Sequence, residues 1–232
     1  MLENPKRIAI IPARASSKRI PDKNIRNFAG KPMIVYAIEC ALASKCFDEV
    51  IVSTENSKIA SLSEAHGACI PFLRPTSLSK DDVRADAVFA HAIEELEKSF
   101  KIEVVCGILP TTPGLESRDL QDSLDFWLQN KNSLDSVFAV TEYQNTAFRS
   151  FTMNQDGDLH ALFPEKLLLQ TQDLPKTYAD AGQFYWARPE VWKNTRSITG
   201  EKAMGWVLPG NRAVDINTEE DWILAEKLIM KK

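Results

Sequence analysis

The chain has 232 residues, is 44% hydrophobic and carries a formal net charge of -4. That length fits one large α/β domain, or a domain with a small lobe, and the mildly acidic balance (pI about 5.5) speaks against a nucleic-acid partner. No apolar run approaches the roughly 20 residues of a membrane span, and the opening MLENPKR lacks the charged-then-apolar plan of a secretion signal. A cytoplasmic protein with no membrane partner is expected.

Taken in chain order, IAIIP from Ile8 predicts a buried strand that breaks into the loop ARASSKRIPDKN. The loop carries Arg14, Lys18, Arg19 and Lys23, four cations within ten residues. Open α/β sheets bind ligands beyond the carboxyl ends of their strands. The loop therefore reads either as a cradle for a polyanion such as a nucleoside triphosphate, or as solvated surface. It contains neither GxxxxGK[ST] nor GxGxxG, so cationic side chains and backbone amides would have to hold the anion. That suits nucleotidyl transfer, where charge builds on departing pyrophosphate and fixed cations stabilise it.

KPMIVYAIECALAS has helical periodicity, with Pro32 near its first turn. EVIVST reads as a buried strand, NSKIASLSEAHG as a helix stopped at Gly67, and CIPFL as a short strand. ADAVFAHAIEELEKSF is an amphipathic helix, and IEVVCGIL a long apolar strand that ends in Pro110-Thr111-Thr112-Pro113-Gly114. SRDLQDSLDFWLQN predicts a helix capped by Ser117, followed by the strand DSVFAVTEY. This alternation argues for a mostly parallel sheet with helices on both faces. The rhythm breaks over 144–175, which reads as an arm of antiparallel strands. GQFYWAR returns as a strand whose alternation sets Phe184 and Trp186 on one face and Gln183 and Tyr185 on the other. NTEEDWILAEKLIMKK closes the chain as a helix capped by Asn217 or Thr218. Cys40, Cys46, Cys69 and Cys106 form no CxxC pair and the histidines are scattered, so free thiols and no zinc site are expected.

Several segments together resemble one family. ARASSKRIPDKN resembles the RxxSKxxxxKN loop of the CMP-sialic acid synthetases and related cytidylyltransferases. RPTSLSKDD (74–82), ILPTTP (108–113) and AVDINTEEDW (213–222) resemble that family's later motifs in the same order, and FAVTEY, QDLP and DAGQFYW look most like the pseudaminic acid branch. The resemblance spans nearly the whole chain. It implies a single Rossmann-like, three-layer α/β/α nucleotidyltransferase domain (1–232) with 144–175 as a dimerisation arm. The implied reaction moves CMP from CTP to the anomeric hydroxyl of a nonulosonic acid, with Mg²⁺ as cofactor and pyrophosphate released. Nucleotide contacts are implied for Ala13, Arg14, Ser17, Lys18, Lys23, Asn24, Arg74, Pro110, Thr111 and Thr112. Arg14, Lys18, Lys23 and Asp215 carry the catalytic roles. Arg149, Gln170, Gln183, Phe184 and Tyr185 match sugar contacts, and Asp215 with Asn217 the metal site. A homodimer is implied, the arm reaching the partner's site.

The chain also departs from the pattern. Its metal motif reads Asp215-Ile216-Asn217 rather than D-I-D, so Asn217 is either a weakened ligand or a helix cap. Gln170 stands where the pseudaminic branch has an arginine able to fork onto a carboxylate, and Ala179 where it has a histidine. Pseudaminic acid or a close relative is the expected acceptor. The alternatives are legionaminic or N-acetylneuraminic acid, and a catalytically weakened binding protein on the same scaffold.

Overall fold

The computed structural model describes residues 6–17, 19–143, 146–194 and 198–230. Its strands are β1 (Lys6–Pro12), β2 (Asn27–Phe28), β3 (Lys31–Pro32), β4 (Glu49–Ser53), β5 (Ile102–Ile108), β6 (Ser136–Glu142), β7 (Phe151–Met153), β8 (Leu159–Ala161), β9 (Tyr178–Ala187) and β10 (Ala203–Leu208). The helices are α1 (Met33–Ser44), α2 (Ser57–Ala65), α3 (Ala85–Glu97), α4 (Ser117–Asn130), α5 (Pro189–Lys193) and α6 (Glu219–Ile229).

Six strands form the central sheet in the order β10-β6-β9-β5-β1-β4. β1 pairs in parallel with β4 and β5, and β10 in parallel with β6, while β9 runs antiparallel between β5 and β6. The expected mostly parallel sheet is thus present, with one reversed strand. The reversal matters for the site, because it brings the start of β9 to the edge where β5 ends.

The continuous apolar runs are explained by burial on both faces. Ala9 and Ile11 of β1, Val104, Cys106 and Ile108 of β5, and Phe184 and Trp186 of β9 pack beneath α1 and α4, with Trp127 of α4 fully buried among them. Ile8, Ile10 and Val105 point the other way, against Phe89, Ile93 and Leu96 of α3 and Trp192 of α5. A third cluster joins Ile20 of the basic loop and Phe28 to Ile216, Trp222 and Ala225. It ties that loop to the segment holding Asp215.

Two local expectations change and a third is decided between its alternatives. CIPFL contributes one parallel bridge, Cys69 to Ile51, rather than a strand. Glu116, not Ser117, is the N-cap of α4, in a reciprocal box with Asp119. Of the two caps offered for α6, Thr218 takes the position, pairing with Asp221 in the same way. The described part of the 144–175 segment holds the antiparallel pair β7–β8 and short 3-10 turns, with Phe151, Met153, Leu159 and Leu162 exposed. All four cysteines are free.

Candidate active site

The carboxyl ends of β1 and β5 open onto a cavity of about 620 Å³, within the roughly 300–1,000 Å³ typical of small-molecule sites. Arg14, Ser17, Arg19, Lys23, Asn24, Arg74, Pro110, Thr111, Asp215 and Asn217 line it. Most of the nucleotide set read from the sequence therefore converges from three separate stretches of chain, and Asp215 and Asn217 join it from a fourth. Lys18 lies outside the described residues. Ala13 and Thr112 are buried behind the wall, and the Thr112 hydroxyl donates inward to the Leu109 carbonyl at 3.1 Å.

The basic loop is pinned rather than free. Arg14 forms an ion pair with Asp81 at 2.7 Å, both half-exposed. The Asn24 amide nitrogen donates to the Arg14 carbonyl at 2.9 Å, while its buried Oδ1 has no hydrogen-bond partner among the described residues. The Lys23 ammonium donates to the Ile216 carbonyl at 2.8 Å. Burial lowers the Lys23 pKa, Arg19 and Arg14 push it the same way, and Asp215 and Asp221 oppose them. Arg74 is almost wholly buried, with its Nη2 at 2.8 Å from Glu55. Burial lowers its pKa and the Glu55 carboxylate opposes this.

Asp215 and Asn217 both face the cavity, but not as a pair of ligands. Arg19 Nη2 donates to Asn217 Oδ1 at 2.7 Å, and Asn217 Nδ2 donates to Asp215 Oδ2 at 2.5 Å. The amide bridges a cation and an anion with both ends engaged. This corrects the reading of Asn217 as the helix cap, a position that Thr218 takes, and it leaves Asn217 beside Asp215 at the cavity wall. Among the described residues no cluster of three or more His, Cys, Asp or Glu side chains could hold a metal. Asp215 supplies one carboxylate oxygen pair beside a cationic loop, which fits a magnesium ion held largely by substrate phosphates.

β9 breaks its register against β6 between the pairs Phe138–Tyr185 and Val140–Asp180. Gly182 sits in this irregular stretch with φ of +59°, and a Cβ built there would lie 3.5 Å from the Asp215 carboxyl carbon. Bulges at active sites commonly re-aim a side chain. Here the Tyr185 hydroxyl turns back to donate to Asp180 at 2.9 Å. Burial and the Asp180 charge both raise the Tyr185 pKa, so the phenol stays protonated. Tyr185 and Asp180 line an adjoining cavity of about 430 Å³ with Arg84, Phe89 and Trp192, and the two cavities share Ala85 and Leu109.

The sugar set is only partly assembled. Tyr185 reaches this second cavity. Phe184 is fully buried beneath α1 and α4 and lines neither cavity, which corrects its reading as a sugar contact. Gln183 is also buried, and neither end of its amide has a hydrogen-bond partner among the described residues. Arg149 and Gln170 stay on the arm, where Arg149 donates to the Leu169 carbonyl at 2.6 Å and Gln170 accepts from Gln172. Glu55, Asp81 and Arg84 were not singled out in the sequence. Asp81 sits inside the RPTSLSKDD motif, which could have flagged it; Glu55 and Arg84 stand alone among ordinary surface-type charges.

Residues 8–203 match the protein-family model described as cytidylyltransferase. The chain belongs to the cytidylyltransferase family. Its similarity to the pseudaminic acid cytidylyltransferase of Campylobacter jejuni is 37% identity, covering 96% of each chain. A CMP-N,N'-diacetyllegionaminic acid synthase of Legionella pneumophila is 30% identical over 96% of this chain and 95% of its own length. Among solved structures, a CMP:2-keto-3-deoxy-manno-octonic acid synthetase complexed with CTP superposes with a TM-score of 0.71, covering 97% of this chain and 99% of that one at 18% identity. That likeness bears on the fold, the Rossmann-like α/β architecture expected from the sequence. A cavity walled by cations beside one carboxylate has the chemistry to bind a polyanion.

Proposed function

We propose that this cytidylyltransferase transfers CMP from CTP to the anomeric hydroxyl of pseudaminic acid or a closely related nonulosonic acid, releasing pyrophosphate. The observation that carries the reading is the convergence of Arg14, Lys23, Asn24, Arg74 and Asp215 on one cavity that shares the wall residues Ala85 and Leu109 with a second. The 37% identity to a pseudaminic acid enzyme over 96% of the chain supports the choice of acceptor.

In this reading CTP occupies the larger cavity. Arg14 and Lys23, with Lys18 of the same loop, neutralise the phosphates and the charge that develops on departing pyrophosphate. Positioning carries much of the rate in such transfers, and a loop already pinned by side chains reduces the reorganisation needed on binding. The unpartnered Asn24 Oδ1 is an acceptor suited to a nucleotide hydroxyl. Asp215 would hold Mg²⁺ together with the phosphates, and that ion would supply further charge neutralisation. The acceptor enters the smaller cavity, where Arg84 is the cation nearest to hand for its carboxylate and Asp180 and Tyr185 offer polar atoms to its hydroxyls. A CTP-consuming step belongs with the nucleotide pool of the cytoplasm, and no helix among the described residues is long and apolar enough to cross a membrane.

The exposed apolar side chains of the arm, including Leu168 at 95% exposure, support a homodimer in which a second copy covers them. Arg149 and Gln170 would then meet the partner's acceptor cavity. Sedimentation at micromolar concentration should give twice the 26.1 kDa chain mass, and a purely monomeric species would contradict this.

The test of the activity is pyrophosphate release with CTP, Mg²⁺ and a panel of nonulosonic acids. Turnover should be fastest with pseudaminic acid. Preference for legionaminic or N-acetylneuraminic acid would replace the acceptor, and binding of CTP without release with any acid would overturn the enzymatic reading.

A further inference from the structure

Glu55 lies two residues beyond β4, outside every motif noted in the sequence, yet it is the hub of a buried polar cluster. Its Oε1 accepts from the Ala15 backbone N–H at 2.8 Å. Its Oε2 accepts from Arg74 Nη2 at 2.8 Å and from the Ser79 hydroxyl at 2.9 Å. Arg74 Nε donates to the same Ser79 oxygen at 3.0 Å, and Arg74 Nη2 also lies 3.4 Å from the Ala13 carbonyl oxygen. Side-chain exposure is 3% for Arg74 and 14% for Glu55.

These bonds fall on the two residues that flank Arg14. Ala13 is held from its carbonyl side by Arg74, and Ala15 from its amide side by Glu55. The Arg14 carbonyl between them is held by Asn24. The two peptide units on either side of Arg14 are therefore fixed by side chains, in a loop without glycine from Ala13 to Lys23. We propose that Glu55 is a positioning residue of this site: with Arg74 it locks the backbone on both sides of Arg14, and so presents the loop to the triphosphate. The inference rests on the reading of the larger cavity as the CTP site.

The alternative is a buried ion pair that serves stability alone. Removing one partner of such a pair strands the other and destabilises the fold, so loss of stability alone does not separate the two. Substrate selectivity does. Glu55→Ala should raise the KM for CTP roughly tenfold or more, since it deletes charge-assisted bonds at the loop, while the KM for the acceptor stays within about twofold of its starting value. The isosteric Glu55→Gln retains an acceptor for the Ala15 N–H and should show a smaller rise in the same direction; it also serves should the alanine variant not fold. A purely structural role lowers the active fraction and leaves both KM values in place, which would overturn the proposal, as would an equal rise in both.

Hydrogen exchange of the full chain without nucleotide gives a readout independent of CTP. Amides of residues 13–17 should exchange faster in either variant while those of β5 keep their protection. Unchanged exchange over 13–17 would sink the proposal. A wild-type chain that neither binds nor turns over CTP would instead overturn the nucleotide reading, and the exchange result would still decide what Glu55 holds.

Discussion

At the scale of single residues, the informative position is Asn217. Its amide accepts from Arg19 and donates to Asp215, so it orients that carboxylate without adding charge. Changing it to aspartate would remove the donor and set two carboxylates side by side. Asn217→Asp should therefore be less stable than the parent without divalent ion and gain more from magnesium, because a ligand that binds only the folded state raises its stability. The check is the melting temperature with and without millimolar Mg²⁺: a larger magnesium-induced rise in the variant is expected, and an equal rise would show that position 217 does not shape a cation site. Arg84 makes the second residue-level prediction. It is the one cation among the described residues lining the smaller cavity. Arg84→Ala should raise the acceptor KM roughly tenfold, the scale of one lost charge-assisted bond, and leave the CTP KM near its starting value; the reverse pattern would remove Arg84 from the acceptor side.

At the scale of elements, the site depends on how loops are tied to one another. Gly114 closes the Pro-Thr-Thr-Pro turn against the chain that leads to Asp215. A Cβ there would lie 2.3 Å from the Arg212 carbonyl oxygen, so one of the two segments must move. Arg212 is itself fixed by Asp119 at the start of α4, with contacts of 2.5 and 3.0 Å. Gly114→Ala should lower stability by about 1–3 kcal/mol, the usual cost of overpacking, and reduce CTP turnover more than the stability loss explains. Denaturant unfolding beside steady-state kinetics would show this; a neutral variant would mean the turn is free to open. The Glu55 cluster yields a pH prediction. Burial alone would raise the Glu55 pKa, but bonds from Ala15, Ser79 and Arg74 outweigh it and hold the carboxyl below its ordinary value of 4.5. A depressed carboxylate contributes stability above its unfolded pKa and loses it as pH falls through the folded one. The parent should thus lose stability on acidification below about pH 4.5 more steeply than Glu55→Gln, and parallel acid profiles would contradict the assignment.

The elements also show what a sequence can carry. Strands β1, β4, β5 and β6 and helices α1, α3 and α4 were legible, because apolar runs buried on two faces and amphipathic periodicity are local signals. The reversal of β9 was not, since composition does not encode strand direction. CIPFL had strand-like content yet makes one bridge, because only Cys69 lies against β4. Arg14, Lys23, Asn24, Arg74 and Asp215 could be read from ordered motifs. Which face of β9 meets the cavity could not: alternation separates Phe184 from Tyr185, and only the packing of α1 and α4 decides which is core. Glu55 was invisible because its partners at positions 15, 74 and 79 meet it only once the chain has folded.

At the scale of the whole molecule, two apolar cores hold the sheet and a third joins the basic loop to α6. Ile20, Ile216 and Trp222 thereby hold the basic loop and the Asp215 segment in one unit. The reversed β9 brings the smaller cavity to the same sheet edge. This arrangement accounts for a transfer in which nucleotide and acceptor occupy adjoining cavities that share Ala85 and Leu109. The most direct test is phosphorus NMR of the wild-type chain with CTP, Mg²⁺ and pseudaminic acid. Loss of the three CTP resonances, with growth of one phosphodiester signal and free pyrophosphate, is the predicted result. Unchanged CTP, or conversion to CDP and inorganic phosphate, would contradict the account.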